Sequence, residues 1–278
     1  MRLWHALAFA PDNTCNGAMK TRLIALIAIF LLCACAPQPV RNPLAEWVPS
    51  PNHDERRPLA IVIHATEQNS VERSLHTLRT QNRGGPVSAH YLIGRDGVLY
   101  QLVADERRAW HAGAGRWGTI TDLNSSSIGI ELDNDGEAAF PPEQIDALLR
   151  LLDDLCTRLR IPRQQIIAHY DMAPARKRDP NVLFPWKTLA DAGFGPWPSD
   201  DAPPAPEGFD TWLALAAFGY PLDDPSAALR AFQRRFRGIE SPSPPDGVHV
   251  PDAEDARILH ALTRHLRPTA GDVIPISP

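Results

Sequence analysis

The longest unbroken apolar run, LIALIAIFLL from Leu23 to Leu32, lies near the N-terminus behind Lys20 and Arg22. It is well short of the roughly 20 residues that span a bilayer, and it does not alternate faces as a core helix would. It predicts the apolar centre of a secretory signal, with Cys33-Ala34-Cys35-Ala36 as the small-residue cleavage zone. Downstream the runs shorten and change period. The β-branched stretch Leu59–Ile63 predicts a buried strand ending at His64. From Ser70 to Gln81, Val71, Leu75 and Leu78 recur at helical spacing. Ser88–Ile93 and Val98–Val103 flank Gly94-Arg95-Asp96-Gly97, which predicts a hairpin with an Asp-Gly turn. Ser127–Leu132 is a further short strand. Pro142–Arg160 is the clearest helix, with Ile145, Leu148, Leu149, Leu152, Leu155, Cys156 and Leu159 on one face. Gln165–Ala168 is a strand ending at His169. Strands alternating with helices define an α/β protein, a mixed central β-sheet flanked by helices. Beyond Ser199–Pro206, three helical patterns at Phe209–Gly219, Pro225–Arg237 and Ala253–Leu266 predict a small C-terminal three-helix domain.

Composition divides the chain without changing its class. With 278 residues, 44% hydrophobic and 22% charged, it can bury two cores. A net charge of -5 offers no basic excess to neutralise a phosphate backbone, so no nucleic-acid partner is expected. The expected organisation is a leader and signal over 1–35, a polar tether over 36–57, a main body over 58–198, a Pro-rich linker over 199–206 and the helical domain over 207–270. The linker predicts a boundary that few contacts cross, and the chain is read as a monomer. Of four cysteines, Cys15, Cys33 and Cys35 precede the body, so Cys156 is left as a core residue and no disulfide framework can form within one mature chain.

Leu32-Cys33-Ala34-Cys35 resembles a bacterial lipobox. That resemblance implies cleavage before Cys35 and lipidation of its thiol, with more than one acyl chain needed for stable anchoring. Ala36, rather than Asp, implies the periplasmic face of the outer membrane. Met19 then reads as the initiator, since residues 1–18 add nothing to the signal.

His64 and His169 each end a predicted strand, where loops are free to build a site. The loop YDMAPARKRDP after His169 brings Lys177 and Asp179. Two imidazoles and a carboxylate form a catalytic zinc set with its fourth position open to water. Each residue also has a plain reading: a structural histidine, a turn aspartate before Pro180, a solvated lysine between Arg176 and Arg178. Asp171, two residues after His169, competes with Asp179 as the ligand. Glu131 sits among apolar residues and needs a metal or cationic neighbour if it is buried.

Taken together, the strand ending in His64, SAHYLIGRDG (Ser88–Gly97), AWHAG (Ala109–Gly113), SIGIEL (Ser127–Leu132) and HYDMAPARKRDPNVLFPW (His169–Trp186) resemble the type 2 N-acetylmuramoyl-L-alanine amidases, which are related to peptidoglycan recognition proteins. The likeness spans roughly residues 45 to 198. It implies that His64, His169 and Asp179 bind zinc, that Glu131 is the catalytic general base and that Lys177 stabilises the oxyanion. It implies peptidoglycan and muropeptides as partners. His111 is a candidate for the substrate groove, and His90, inside a strand, reads as structural. The region from Phe209 to Leu266 resembles a peptidoglycan-binding helical domain through LAAFGYPL and ALRAFQRRFRG. Three other readings are weaker: a recognition protein that does not cut, which would lack the ligands; a cytosolic amidase, which would lack the signal; and a zinc protease, which would carry a His-Glu-x-x-His helix.

Overall fold

A computed structural model describes residues 41–55, 58–242 and 248–264. The expected signal, its Cys35 and the residues before them lie outside the described residues. Ten strands and eight helices are present among those described. The strands are β1 (Glu46–Trp47), β2 (His53–Glu55), β3 (Ala60–Ala65), β4 (Gln81–Asn82), β5 (Gly85–Pro86), β6 (Tyr91–Ile93), β7 (Leu99–Gln101), β8 (Arg107–Ala109), β9 (Ser127–Leu132) and β10 (Ile166–Ala168). The helices are α1 (Val71–Leu78), α2 (Leu123–Ser126), α3 (Pro142–Arg158), α4 (His169–Met172), α5 (Trp186–Asp191), α6 (Thr211–Phe218), α7 (Pro225–Arg237) and α8 (Ala253–Thr263).

Six strands form the central sheet in the order β1-β7-β6-β9-β3-β10. The β6–β7 hairpin is antiparallel and every other pairing in this sheet is parallel, so the sheet is mixed as expected. Its middle strands are buried on both faces, which explains why β3 and β9 read as nearly continuous apolar runs. Leu148, Leu151, Leu152 and Leu155 of α3 join Ile61, Ile63 and Ile130 in the principal core, with Cys156 beside them. A second cluster gathers Leu78 of α1 with Leu92 and Leu102.

Two expectations about boundaries are corrected. Of the tether, residues 41–55 are built into the body. Glu46–Trp47 adds a parallel edge strand to β7, and His53–Glu55 pairs antiparallel with β8. Val48 N–H donates to Gln101 O at 2.8 Å, Ser50 N–H to Leu102 O at 2.7 Å, and Asn42 Nδ2 to Asp154 Oδ2 at 2.8 Å. Two- and three-residue strands have no period to read, so polar, Pro-rich composition concealed them.

The second correction concerns the linker. Residues 199–206 are irregular, as their composition implies, and the three helices follow close to the expected bounds. Yet many contacts cross from the helices to the body. Leu215, Tyr220, Leu229 and Phe232 lie in the same core cluster as Ile166, Tyr170 and Trp186. Trp117 packs edge-on against Tyr220 at 5.1 Å and Phe218 at 5.8 Å between ring centroids. The amphipathic helices bury their apolar stripes partly against the sheet body, so contacts cross the boundary that the linker composition implied.

Candidate metal and catalytic site

The site forms at the carboxyl ends of the parallel strands β3, β9 and β10, where open α/β sheets place their ligands. His64 lies one residue inside the end of β3, and its register partner on β9 is Glu131. Partners in register point to the same face, so strand pairing alone sets an imidazole beside a carboxylate. β10 delivers His169 directly into the short turn α4. The following loop returns Asp179 to the same spot: Lys177 N–H donates to Ala173 O at 2.9 Å, and Tyr170 N–H donates to Asp179 O at 3.2 Å.

His64 Nδ1 and His169 Nδ1 are 2.8 Å apart, and Asp179 Oδ2 lies 3.0 Å from His169 Nδ1 and 3.4 Å from His64 Nδ1. All three residues are buried. The outer ring nitrogens establish the tautomers. His169 Nε2 faces the carbonyl of Ala112 at 3.0 Å, which can only accept, so Nε2 carries the proton and Nδ1 keeps its lone pair. Ser127 Oγ donates to Leu123 O and so accepts from His111 Nε2 at 3.5 Å, which leaves His111 Nδ1 to accept from His64 Nε2 at 3.0 Å and frees His64 Nδ1. Two lone pairs facing each other beside a carboxylate require a cation between them. A tetrahedral metal with bonds of about 2.0–2.1 Å separates its ligand atoms by about 3.3 Å, and the observed triangle is close to that. The donor set therefore fits a divalent metal of the zinc kind.

The local electrostatics agree. Burial, reinforced by the neighbouring His169, lowers the pKa of His64 to about 4, so its imidazole is neutral and able to bind metal at ordinary pH. Burial pushes the Asp179 carboxyl up, but its neighbours His169 and His64 outweigh that and hold it well below the usual carboxylate range, so it faces the two imidazoles as an anion. Glu131 goes the other way: burial first, then the Asp179 charge, raises it to about 8 against the pull of Lys177. The residue borders the cavity, yet its Oε2 is buried without a hydrogen-bond partner. An orphaned carboxylate oxygen beside a ligand triad is placed to accept a proton from a molecule the protein alone does not supply.

The cavity over the triad, of about 180 Å³, is lined by Glu131, Lys177, Trp110, Thr66 and Asn82 among others. A neighbouring one of about 430 Å³ shares Ala65, Glu67 and Asp179 with it and runs towards Asn181 and Leu183. The two cavities therefore meet at Ala65, Glu67 and the ligand Asp179.

Apart from Cys35, which lies outside the described residues, each site residue expected from the sequence has a definite place. His64, His169 and Asp179 converge, and Glu131 and Lys177 face the same cavity. Asp171 does not: it is fully buried and accepts from Ala168 N–H at 2.8 Å and Tyr220 O–H at 2.6 Å, so the competition for the ligand goes to Asp179. His111 lines the cavity, but its Nδ1 is turned to His64. Its ring rests on Gly129, where an added Cβ would fall 2.4 Å from His111 Cγ. His90 is structural: its Nδ1 accepts from Gly129 N–H and its Nε2 meets Arg107 O, both at 2.9 Å.

Sequence reasoning missed two residues. Asn124 Oδ1 accepts from the N–H groups of His111 and Ala112 at 2.9 and 2.8 Å, setting the segment that supports both histidines. Glu67 lines both cavities from a left-handed backbone (φ 51°), a conformation that few non-glycine residues adopt. An Asn before three Ser and a Glu in a polar loop carry no distinguishing pattern.

A mixed sheet bearing two imidazoles, a carboxylate and an orphaned glutamate at its strand ends defines an α/β protein with a candidate metal site. Comparison with known proteins is specific. Residues 54–182 match the family described as N-acetylmuramoyl-L-alanine amidase. The chain is 36% identical over 226 residues to the N-acetylmuramoyl-L-alanine amidase AmiD of Escherichia coli K12, covering 75% of each. It is 30% identical over 161 residues to the 1,6-anhydro-N-acetylmuramyl-L-alanine amidase AmpD of Enterobacter cloacae, over 51% of this chain and 86% of that one. The structure of E. coli AmiD with anhydro-N-acetylmuramic acid-L-Ala-D-γ-Glu-L-Lys matches with a TM-score of 0.63 at 31% identity, covering 83% of this chain and 93% of that one. AmpDh3 of Pseudomonas aeruginosa with an anhydromuramic pentapeptide also scores 0.63, at 30% identity over 82% and 98%. The chain belongs to the type 2 N-acetylmuramoyl-L-alanine amidases.

Proposed function

We infer that this protein hydrolyses the amide bond between N-acetylmuramic acid and L-alanine in peptidoglycan or its muropeptide fragments. The observation that carries this is the convergence of His64 Nδ1, His169 Nδ1 and Asp179 Oδ2 beside the orphaned Oε2 of Glu131. Two relatives of the same fold hold anhydromuramyl peptides. His64, His169 and Asp179 would hold zinc, which would supply polarisation of the amide carbonyl and lower the pKa of a bound water from about 16 to near 7. Glu131, whose proton a cation held by the triad would drive off, takes the proton of the attacking water on its free oxygen and returns it to the leaving alanine amine. Lys177 faces the same cavity and stabilises the negative charge that develops on the carbonyl oxygen. His111, Ala112 O and Asn124 keep the two imidazoles in their ligand tautomers. Cys35 carries the lipid that holds the protein at the periplasmic face of the outer membrane, and the C-terminal helices add a contact with peptidoglycan.

The test is digestion of purified muropeptides by residues 36–278, read by mass spectrometry with parallel metal analysis. The expected products are a peptide with a free N-terminal alanine and the lactyl sugar, with one zinc per chain that is absent from His64→Ala. Scission at another bond, or a zinc-loaded protein that leaves the substrate intact, would overturn the assignment.

A further inference from the structure

Both His169 and Asp179 come from one eleven-residue loop, so what holds that loop decides whether the triad exists. Its support comes largely from the C-terminal module. Behind α4, the Asp171 carboxylate accepts from Ala168 N–H, capping the turn that carries His169, and from Tyr220 O–H and the guanidinium of Arg235. A second nitrogen of that guanidinium donates to Ile166 O on β10 at 2.8 Å, and its carbon lies 4.3 Å above the Trp186 ring. Arg235 thus bridges the strand before His169 and the turn after it. At the far end of the loop, Glu240 accepts a two-pronged contact from Arg234 at 2.5 and 2.8 Å and also takes Arg178, next to Asp179, at 2.8 Å. Arg234 lies over the Tyr170 ring at 5.0 Å. Adjacent residues of α7 therefore grip both ends of the loop.

We propose that Arg235 and Tyr220, acting through Asp171, and Arg234, acting through Glu240, are positioning residues that hold the His169–Asp179 loop in metal-binding geometry. A buried ion pair is a poor source of stability, because desolvation offsets most of its attraction and apolar replacements of similar volume often fold as well or better. Asp171 and Arg235 are both buried, and Arg235 Nε has no hydrogen-bond partner, which adds to that cost. What such a network supplies is fixed geometry. Partners one layer behind metal ligands orient them, and their loss typically weakens metal binding about 10- to 100-fold. The module that the linker composition set apart is on this view half of the metal site's scaffold.

The inference rests on zinc binding as proposed above, and the experiment separates the two. Zinc affinity is measured by competition with a colorimetric chelator on the full mature chain, with the melting temperature of the metal-free protein recorded in parallel. Tyr220→Phe removes one hydrogen bond and keeps the ring packed on Trp117 and Phe232. Asp171→Leu with Arg235→Met replaces the ion pair by apolar groups. Arg237→Met breaks the ion pairs to Asp252 and Asp255 inside the module and serves as the control. The expected result is zinc bound about 10- to 100-fold more weakly by the double variant and several-fold more weakly by Tyr220→Phe, while Arg237→Met binds as wild type whatever its melting temperature. Should the double variant not fold, Tyr220→Phe decides alone. Wild-type affinity in Tyr220→Phe together with any folded double variant, or equal weakening in Arg237→Met, overturns the positioning role. A wild-type chain that binds no zinc overturns the metal assignment instead.

Discussion

Glu131→Gln should make the metal-free protein more stable and the enzyme nearly inactive, and the size of the first effect follows from the site. The Glu131 pKa is raised from 4.5 to about 8. A carboxyl whose folded pKa is raised carries no penalty below its unfolded pKa and destabilises progressively as pH rises from there to the folded value. At pH 7 the unfolded chain has released the proton and the folded chain keeps it. The interval of about 2.5 pH units above 4.5, at 1.36 kcal/mol per unit, sets an upper limit of about 3 kcal/mol. Glutamine leaves polar atoms in the same place, so a gain of roughly 1–3 kcal/mol is expected, or about 2–10 °C in melting temperature for a body of this size. Urea unfolding of chelator-treated wild type and variant measures it. The two curves should coincide near pH 4.5 and separate towards pH 8, with the variant the more stable. Zinc-loaded Glu131→Gln should lose about 10²- to 10⁴-fold in turnover, as removal of a general base does. A variant that is less stable at pH 7, or as active as wild type, would show that Glu131 is a satisfied structural carboxylate.

Three further outcomes are expected. Lys177→Ala should keep its zinc and lose about 10²- to 10³-fold in turnover, the cost of an oxyanion donor; normal turnover with zinc retained would place the oxyanion elsewhere. Gly129→Ala puts a methyl into the His111 ring, and the forced shift should cost about 1–3 kcal/mol in denaturant titration and weaken zinc about 10- to 100-fold as His64 loses its outer partner. Cys35→Ser should move the protein from the membrane to the soluble fraction, and an acylated, membrane-bound variant would refute the lipobox reading.

Much of this protein was legible in the chain. The long strands β3 and β9 and the helices α3 and α7 are deep in the fold and carry strong apolar periods, so each was found within a residue or two of its ends. The ligand set was legible because the apolar runs of β3 and β10 end at His64 and His169, at or next to the strand ends, with HYDMAPARKRDP naming the last ligand by its family pattern. Position along the chain could not decide between Asp171 and Asp179, since both lie within one loop of His169. Tertiary structure decided it. The sheet body and α7 close around Asp171 and satisfy it from behind with Tyr220 and Arg235, groups 49 and 64 residues away, and this leaves Asp179 to face the histidines. It also decided the fate of residues 41–55 and of the helical module. Short edge strands and docking faces have no signature of their own, because the groups that satisfy them, β7, β8 and the Tyr170–Trp186 surface, are distant in sequence. Local pattern reports what a segment does with its own neighbours; the partner a polar group finds across the fold depends on packing, which exists only once the whole chain has closed on its core.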